Sequence, residues 1–237
     1  MPPPAPLKSN AVPEAWATLP TSQWPQLVLT NSAKFKGHSA LQGASSFLLR
    51  ASGDRTIAAT ARHLLGPNGG VTPTISPDRL DSVLDSWVMY PRTKPQDFMT
   101  IAAHGIAPPS GKASDWLLLE IKNNSKPLPA APLTLRPTPV SVGEEVFLVG
   151  VPYSETDRMQ NVYRAKVTHR AAPDWFRYRL ETPVDIRGFS GAPILDKNGW
   201  VVGVMTVWFE PQMDGDKFLE AGGQDAASVA EVVSKKK

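Results

Sequence analysis

The chain has 237 residues, 41% hydrophobic and 20% charged, the make-up of a folded globular protein and not of a disordered or fibrous one. Its net charge of +3 rests on Lys235, Lys236 and Lys237; without them basic and acidic residues number 22 each, so no basic face for nucleic acid is expected. The absence of cysteine excludes a disulfide framework, thiol catalysis and cysteine-based zinc sites, and no apolar run approaches the ~20 residues of a membrane span.

Residues 1–34 read as a proline-rich tail. The first residues lack the apolar centre of a signal peptide, and the composition leaves the compartment open. From residue 35 the texture changes to short β-type runs separated by turn residues. Residues 47–51, 56–60, 86–90, 97–104 and 115–121 all fit strands, and the region 35–125 is expected to form one β unit. Residues 126–137, KPLPAAPLTLRP, are rich in proline and read as a connector. A second set of strands follows at 144–151, 161–169, 175–181, 192–196 and 200–209, within a second unit of residues 138–224. Many short strands with turns between them predict a sandwich or barrel rather than βαβ units. The end, 225–237, predicts the one helix: Val229, Val232 and Val233 fall at helical spacing and the lysines sit where the helix dipole favours cations.

Three local segments carry chemistry. In TIAATARHLLG (56–66) a small-residue strand runs into His63. In ASDWLLLEI (113–121) Asp115 heads an apolar strand. In RGFSGAPILDKNGWVVGVMT (187–206) Ser190 sits between glycines in a tight turn. A serine hydroxyl is a poor nucleophile until an imidazole takes its proton, and the imidazole must be held in one tautomer by a carboxylate. Backbone N–H groups must meet the developing oxyanion, in a turn that glycine permits. This reading makes Ser190 the nucleophile, His63 the general base and acid, Asp115 the orienting group, and the N–H groups of Gly188 and Ser190 the oxyanion hole. Asp85 and Asp97 compete with Asp115 for the orienting role, whereas His38, His104 and His169 lack a comparable context and are expected to be structural or exposed.

With these three segments in the order His, Asp, Ser, separated by 52 and 75 residues, the chain resembles the trypsin-like peptidases over roughly residues 40–232. It is most similar in texture to bacterial single-domain members and to the protease domain of the high-temperature-requirement group. EEVFLVGVPYS (144–154) and NVYRAKVTH (161–169) add to the likeness. The resemblance implies an all-β fold of two packed six-stranded antiparallel barrels with a C-terminal helix. It also implies a serine endopeptidase that acts on polypeptides without metal or organic cofactor, and a chain with no room for a PDZ module. By the family's spacing, Val184 and Asp185 lie near the base of the specificity pocket and Arg187 near its rim. Thr206, Val207 and Trp208 fall on the strand that pairs with substrate backbone. A buried Asp185 would favour Lys or Arg at the cleaved bond; equally, it could pair with an internal arginine such as Arg177 or Arg179, and a small or medium apolar preference is an equal expectation.

The sequence departs from the family at three points. Phe189 stands where animal digestive proteases carry an aspartate that pairs with a newly cleaved N-terminus, so activation by that route is not expected. Ala192 replaces a glycine. Trp208 stands where members often have glycine, and with the proline-rich tail it motivates a rival reading: a protease-fold binding or regulatory protein whose cleft is closed.

Overall fold

The structure, a computed structural model, describes residues 12–106, 114–122, 127–171, 174–208 and 218–234. Six strands, β1 (Val28–Phe35), β2 (Leu41–Arg50), β3 (Thr56–Ala61), β4 (Leu84–Tyr90), β5 (Met99–Ile106) and β6 (Trp116–Ile121), close into an antiparallel barrel in the order β1-β2-β3-β6-β5-β4. A short helix, α1 (Leu80–Val83), leads into β4. Six more strands, β7 (Glu145–Gly150), β8 (Asn161–Ala171), β9 (Trp175–Val184), β10 (Pro193–Leu195), β11 (Val201–Trp208) and β12 (Phe218–Asp225), close a second barrel in the order β10-β11-β12-β9-β8-β7. Helix α2 (Ala227–Ser234) follows. The expected all-β fold of two six-stranded barrels with a C-terminal helix is therefore the observed one. No helix among the described residues is long and apolar enough to cross a membrane.

Several strands read as continuous apolar runs because both of their faces are buried. In β6, Leu117 and Leu119 enter the first barrel's core, whereas Trp116 and Leu118 face a second core between the barrels. In β2 the same alternation sends Leu48 inward and Phe47 and Leu49 to the junction. Phe147, Val149, Leu195 and Val201 meet them from the other barrel, and Val229 and Val233 of α2 cap this shared core.

The segments before and between the barrels tie them together. Trp16 packs edge-on against Trp24, at 5.0 Å between ring centroids, and Trp24 against Phe147 at 5.6 Å. Glu14 donates its N–H to the Asn198 carbonyl at 3.0 Å and pairs its carboxylate with Arg50. The connector is no loose linker. Leu133 exchanges backbone hydrogen bonds with β2, and Thr134 and Arg136 bond Val201 of β11. Burial of the Arg136 guanidinium is compensated by Glu144 and Asp196, its two carboxylate partners.

The first barrel begins at Val28, inside the stretch read as tail, and β12 was not anticipated as a strand. Both lack the expected signature for a physical reason. β1 buries a polar Asn31, whose side-chain carbonyl accepts the Trp87 indole N–H at 3.1 Å, and β12 carries Gly222, Gly223 and Gln224 on its buried stretch.

The turn between β9 and β10 is pinned to the second core by Phe189. Its ring is fully buried, packs edge-on to Tyr163 at 5.5 Å, and fills the space a side chain at residue 150 would need: a Cβ on Gly150 would lie 2.3 Å from it. Truncation to alanine is expected to cost about 3–5 kcal/mol. Phe189→Asp is expected to cost more than Phe189→Ala, because it adds an unpaired carboxylate to an apolar site. Urea unfolding of both variants checks this; an aspartate variant as stable as the alanine one would show that a charge partner is already within reach.

Candidate active site

β3 and β6 pair in a register that sets Ala61 opposite Trp116, so the residues just past one strand and just before the other must meet. Arg62 donates its N–H to the Asp115 carbonyl at 2.6 Å, and the chain then turns into a 3-10 helix, Arg62–Leu65. This turn presents His63 to the Asp115 side chain twice. Asp115 Oδ1 accepts the His63 backbone N–H at 2.8 Å, and Oδ2 lies 2.6 Å from His63 Nδ1. A carboxylate on Nδ1 selects the tautomer with its proton there and leaves the Nε2 lone pair able to take a proton. The two side chains are 18% and 25% exposed, sheltered yet reachable. Asp85 and Asp97 play no part in this contact. His38 bonds the Pro73 carbonyl on the surface, His169 is exposed, and the His104 side chain lies outside the described residues.

Asp115 is also tied to the second barrel. The Gln224 side-chain carbonyl accepts the Asp115 N–H, and the Trp116 indole donates to the Asp225 carbonyl at 3.3 Å. The Asp225 carboxylate in turn accepts from Arg170 at 2.8 Å.

Ser190 lies in the turn between β9 and β10, and every carbonyl from Ile186 to Ser190 is occupied. Ile186 O accepts from Phe189 N at 3.0 Å, Arg187 O from Tyr153 N at 3.0 Å, and Phe189 O from Ala192 N at 2.7 Å. Gly188 O accepts the Ser45 hydroxyl at 2.7 Å, and Ser190 O accepts the Ser45 N–H at 2.9 Å. In a trans peptide the carbonyl and N–H point in opposite directions. Fixing the Arg187 and Phe189 carbonyls therefore fixes the N–H groups of Gly188 and Ser190, and neither has a protein acceptor among the described residues. Gly188 (φ +102°) and Gly191 (φ +85°) adopt backbone conformations that L side chains rarely reach.

The turn is seated against the strand end that carries His63. A Cβ on Gly191 would lie 2.2 Å from Ser45 O, 2.3 Å from Thr60 Oγ1 and 3.0 Å from Ala61 N, so Ser190 sits beside β3 just ahead of His63. Thr60 Oγ1 donates to Ser45 O at 2.7 Å and completes the junction. The Ser190 hydroxyl makes no hydrogen bond to His63. A cavity of about 430 Å³ opens against His63, lined also by Arg62, Asn68, Thr74 and Ser76. Among the described residues no group of three or more His, Asp or Glu is arranged to hold a metal ion.

Val184 is buried at the end of β9, opposite Phe218. Asp185 does not pair with Arg177 or Arg179. It is held by Arg187 two residues on, through Nε and a terminal nitrogen, both at 2.8 Å, because a bidentate partner so near in sequence is reached at little entropic cost. These hydrogen bonds hold the Asp185 carboxyl below the usual carboxylate range against the opposing effect of burial. Arg179 pairs with Glu220 instead. Thr206 is buried at a bulge between Met205 and Val207, Val207 is half-buried, and the Trp208 side chain lies outside the described residues.

Sequence reasoning did not single out Ser45, Gln224 or Tyr153. Their neighbours gave no signal: Ser45 stands beside Ser46 in β2 and Gln224 between Gly223 and Asp225 in β12, so their duties emerge only from contacts across the fold.

Comparison with known proteins agrees with this architecture. The family model for the trypsin-like peptidase domain matches residues 44–204. Among solved structures, the chain is similar to the active form of the Rv3671c protease from M. tuberculosis, with a TM-score of 0.57 at 16% identity over 96% of this chain and 90% of that one. The HtrA-type protease AlgW with a tripeptide also has a TM-score of 0.57 at 16% identity; the match covers 90% of this chain but only 59% of AlgW. No curated protein sequence matches. With its matched segment spanning both barrels, the chain belongs to the trypsin-like peptidase family, the serine proteases of the double-barrel fold.

Proposed function

We propose that the protein is a serine endopeptidase in which Ser190 is the nucleophile, His63 the general base and acid, and Asp115 the group that orients the imidazole. The observation that carries this reading is the double grip of the Asp115 carboxylate on His63, beside a turn with two N–H groups that have no acceptor among the described residues. His63 Nε2 takes the Ser190 proton as the oxygen attacks the scissile carbonyl, and the carbonyl oxygen becomes an oxyanion that Gly188 N–H and Ser190 N–H receive. The imidazolium, stabilised by Asp115, then gives its proton to the leaving amine. Water deacylates the ester through the same groups, with His63 again the base.

A substrate strand has a place to pair. β11 is hydrogen-bonded to the Gly191–Leu195 side only as far as Met205, so the edge of residues 206–208 has no partner strand there among the described residues. An unpaired edge of this kind accepts an extended peptide by main-chain hydrogen bonds. The pocket reading follows from charge. Because Asp185 is already neutralised by Arg187 and Val184 is buried and apolar, the base of the pocket favours a small or medium apolar side chain over Lys or Arg.

The test is reaction of the purified chain with a fluorophosphonate, the adduct mapped by mass spectrometry. Label on Ser190 that is lost in Ser190→Ala and His63→Ala is expected, with peptide hydrolysis falling on the order of 10⁴-fold or more in these variants and about 10⁴-fold in Asp115→Asn. Folded wild-type protein that stays unlabelled would turn the reading towards a closed-cleft binding protein. A peptide-library profile is expected to show apolar preference at the cleaved bond. Arg187→Ala should raise the share of Lys and Arg there by on the order of tenfold, the worth of one charge-assisted hydrogen bond; an unchanged profile would place Asp185 outside the pocket.

A further inference from the structure

Tyr153, in the turn after β7, touches both barrels and the oxyanion turn at once. Its hydroxyl accepts the Ala44 N–H at 2.8 Å. Its ring lies against two glycines: a Cβ on Gly43 would stand 2.7 Å from a ring carbon, and one on Gly188 3.1 Å from another. Its N–H donates to Arg187 O at 3.0 Å. Arg92, just past β4, donates to Tyr153 O at 2.9 Å and holds its guanidinium 5.9 Å from the ring centroid. The residue bridges Gly43–Ala44 of the first barrel to Arg187–Gly188 of the second.

The Arg187–Gly188 peptide is the one in the turn that most needs such a restraint. Glycine populates positive and negative φ almost equally, so a peptide ahead of it can rotate at little steric cost. Rotation by half a turn would aim the Arg187 carbonyl where the Gly188 N–H must meet the oxyanion, replacing attraction by repulsion. The other carbonyls of the turn are bonded within the turn itself or to Ser45. The Arg187 carbonyl alone depends on the loop that carries Tyr153.

We propose that Tyr153 is a positioning residue that sets the Arg187–Gly188 peptide for oxyanion binding by clamping it between the barrels. The proposal rests on the serine-peptidase reading above. It acts through Gly188 and does not touch the reacting atoms, so it bears on the transition state and not on ground-state substrate affinity.

The experiment compares wild type with Tyr153→Phe and Tyr153→Ala. It measures kcat and KM on one peptide substrate, the affinity of a peptide boronic acid that forms a tetrahedral adduct, and the thermal midpoint. Tyr153→Ala is expected to lower kcat by about 10- to 100-fold, below the ~10²–10³ of losing an oxyanion donor outright, with KM within about twofold. Boronate affinity should fall by the same factor as kcat/KM. Tyr153→Phe keeps the ring and the backbone N–H, loses only the acceptor for Ala44, and should restore most of the activity. A loss carried by KM, an unchanged kcat in Tyr153→Ala, or a Tyr153→Phe as impaired as Tyr153→Ala would each overturn the proposal. Should Tyr153→Ala not fold, Tyr153→Leu takes its place under the same criteria. A wild type that fluorophosphonate does not label overturns the peptidase reading and this proposal with it, whereas labelled wild type with equally active variants overturns this proposal alone.

Discussion

The site depends on a contact in which no side chain fits. At Gly191 the second barrel presses its turn onto β3, and the smallest side chain would drive a carbon to 2.2 Å from the Ser45 carbonyl. The positive φ of Gly191 bends the chain so that Ser190 stands proud of the barrel while Gly191 itself is buried. Ser45 then works on both sides of this contact: its hydroxyl and N–H hold the turn, and its carbonyl receives Thr60. One serine on β2 thus sets the spacing between the strand that ends at His63 and the turn that carries Ser190.

The rest of the molecule keeps that spacing from drifting. Aromatic packing of Trp16 on Trp24 and of Trp24 on Phe147, the connector strands on β2 and β11, and Trp116 reaching the Asp225 carbonyl all cross the same junction. Where a charged anchor could have held the turn, the chain uses Phe189. An apolar anchor avoids the desolvation cost of a buried carboxylate and needs no second group to be delivered to it.

What the sequence revealed followed from how local each signal was. His63, Asp115 and Ser190 stood out as candidates because residue type, neighbours and order all bear on one kind of chemistry, and the fold joins the first two by hydrogen bonds. The strands with large apolar side chains on both faces were legible as continuous runs. β1 and β12 were not, because Asn31, Gly222 and Gly223 hold positions where bulk or polarity is decided by a partner distant in sequence. For Asp185 a free place in the pocket and a partner on a neighbouring strand were both open, and the partner proved to be two residues away, a matter of side-chain reach that spacing alone does not specify. Tyr153 was hidden for the same reason: its duty exists only once Ala44 and Arg187 lie beside it.

The division of labour between the barrels has a consequence for the life of the chain. His63 and Asp115 flank β3 and β6 of the first barrel, whereas Ser190 belongs to a turn of the second, and Gln224 and Ser45 brace each from across the junction. In the proposed chemistry, a nascent chain that has folded only its first half holds a base with nothing to deprotonate. A chain whose halves have folded but not docked holds a hydroxyl with no base beside it. In that chemistry the three groups come together only where the barrels meet, so a chain whose halves are folded but undocked is expected to be inert.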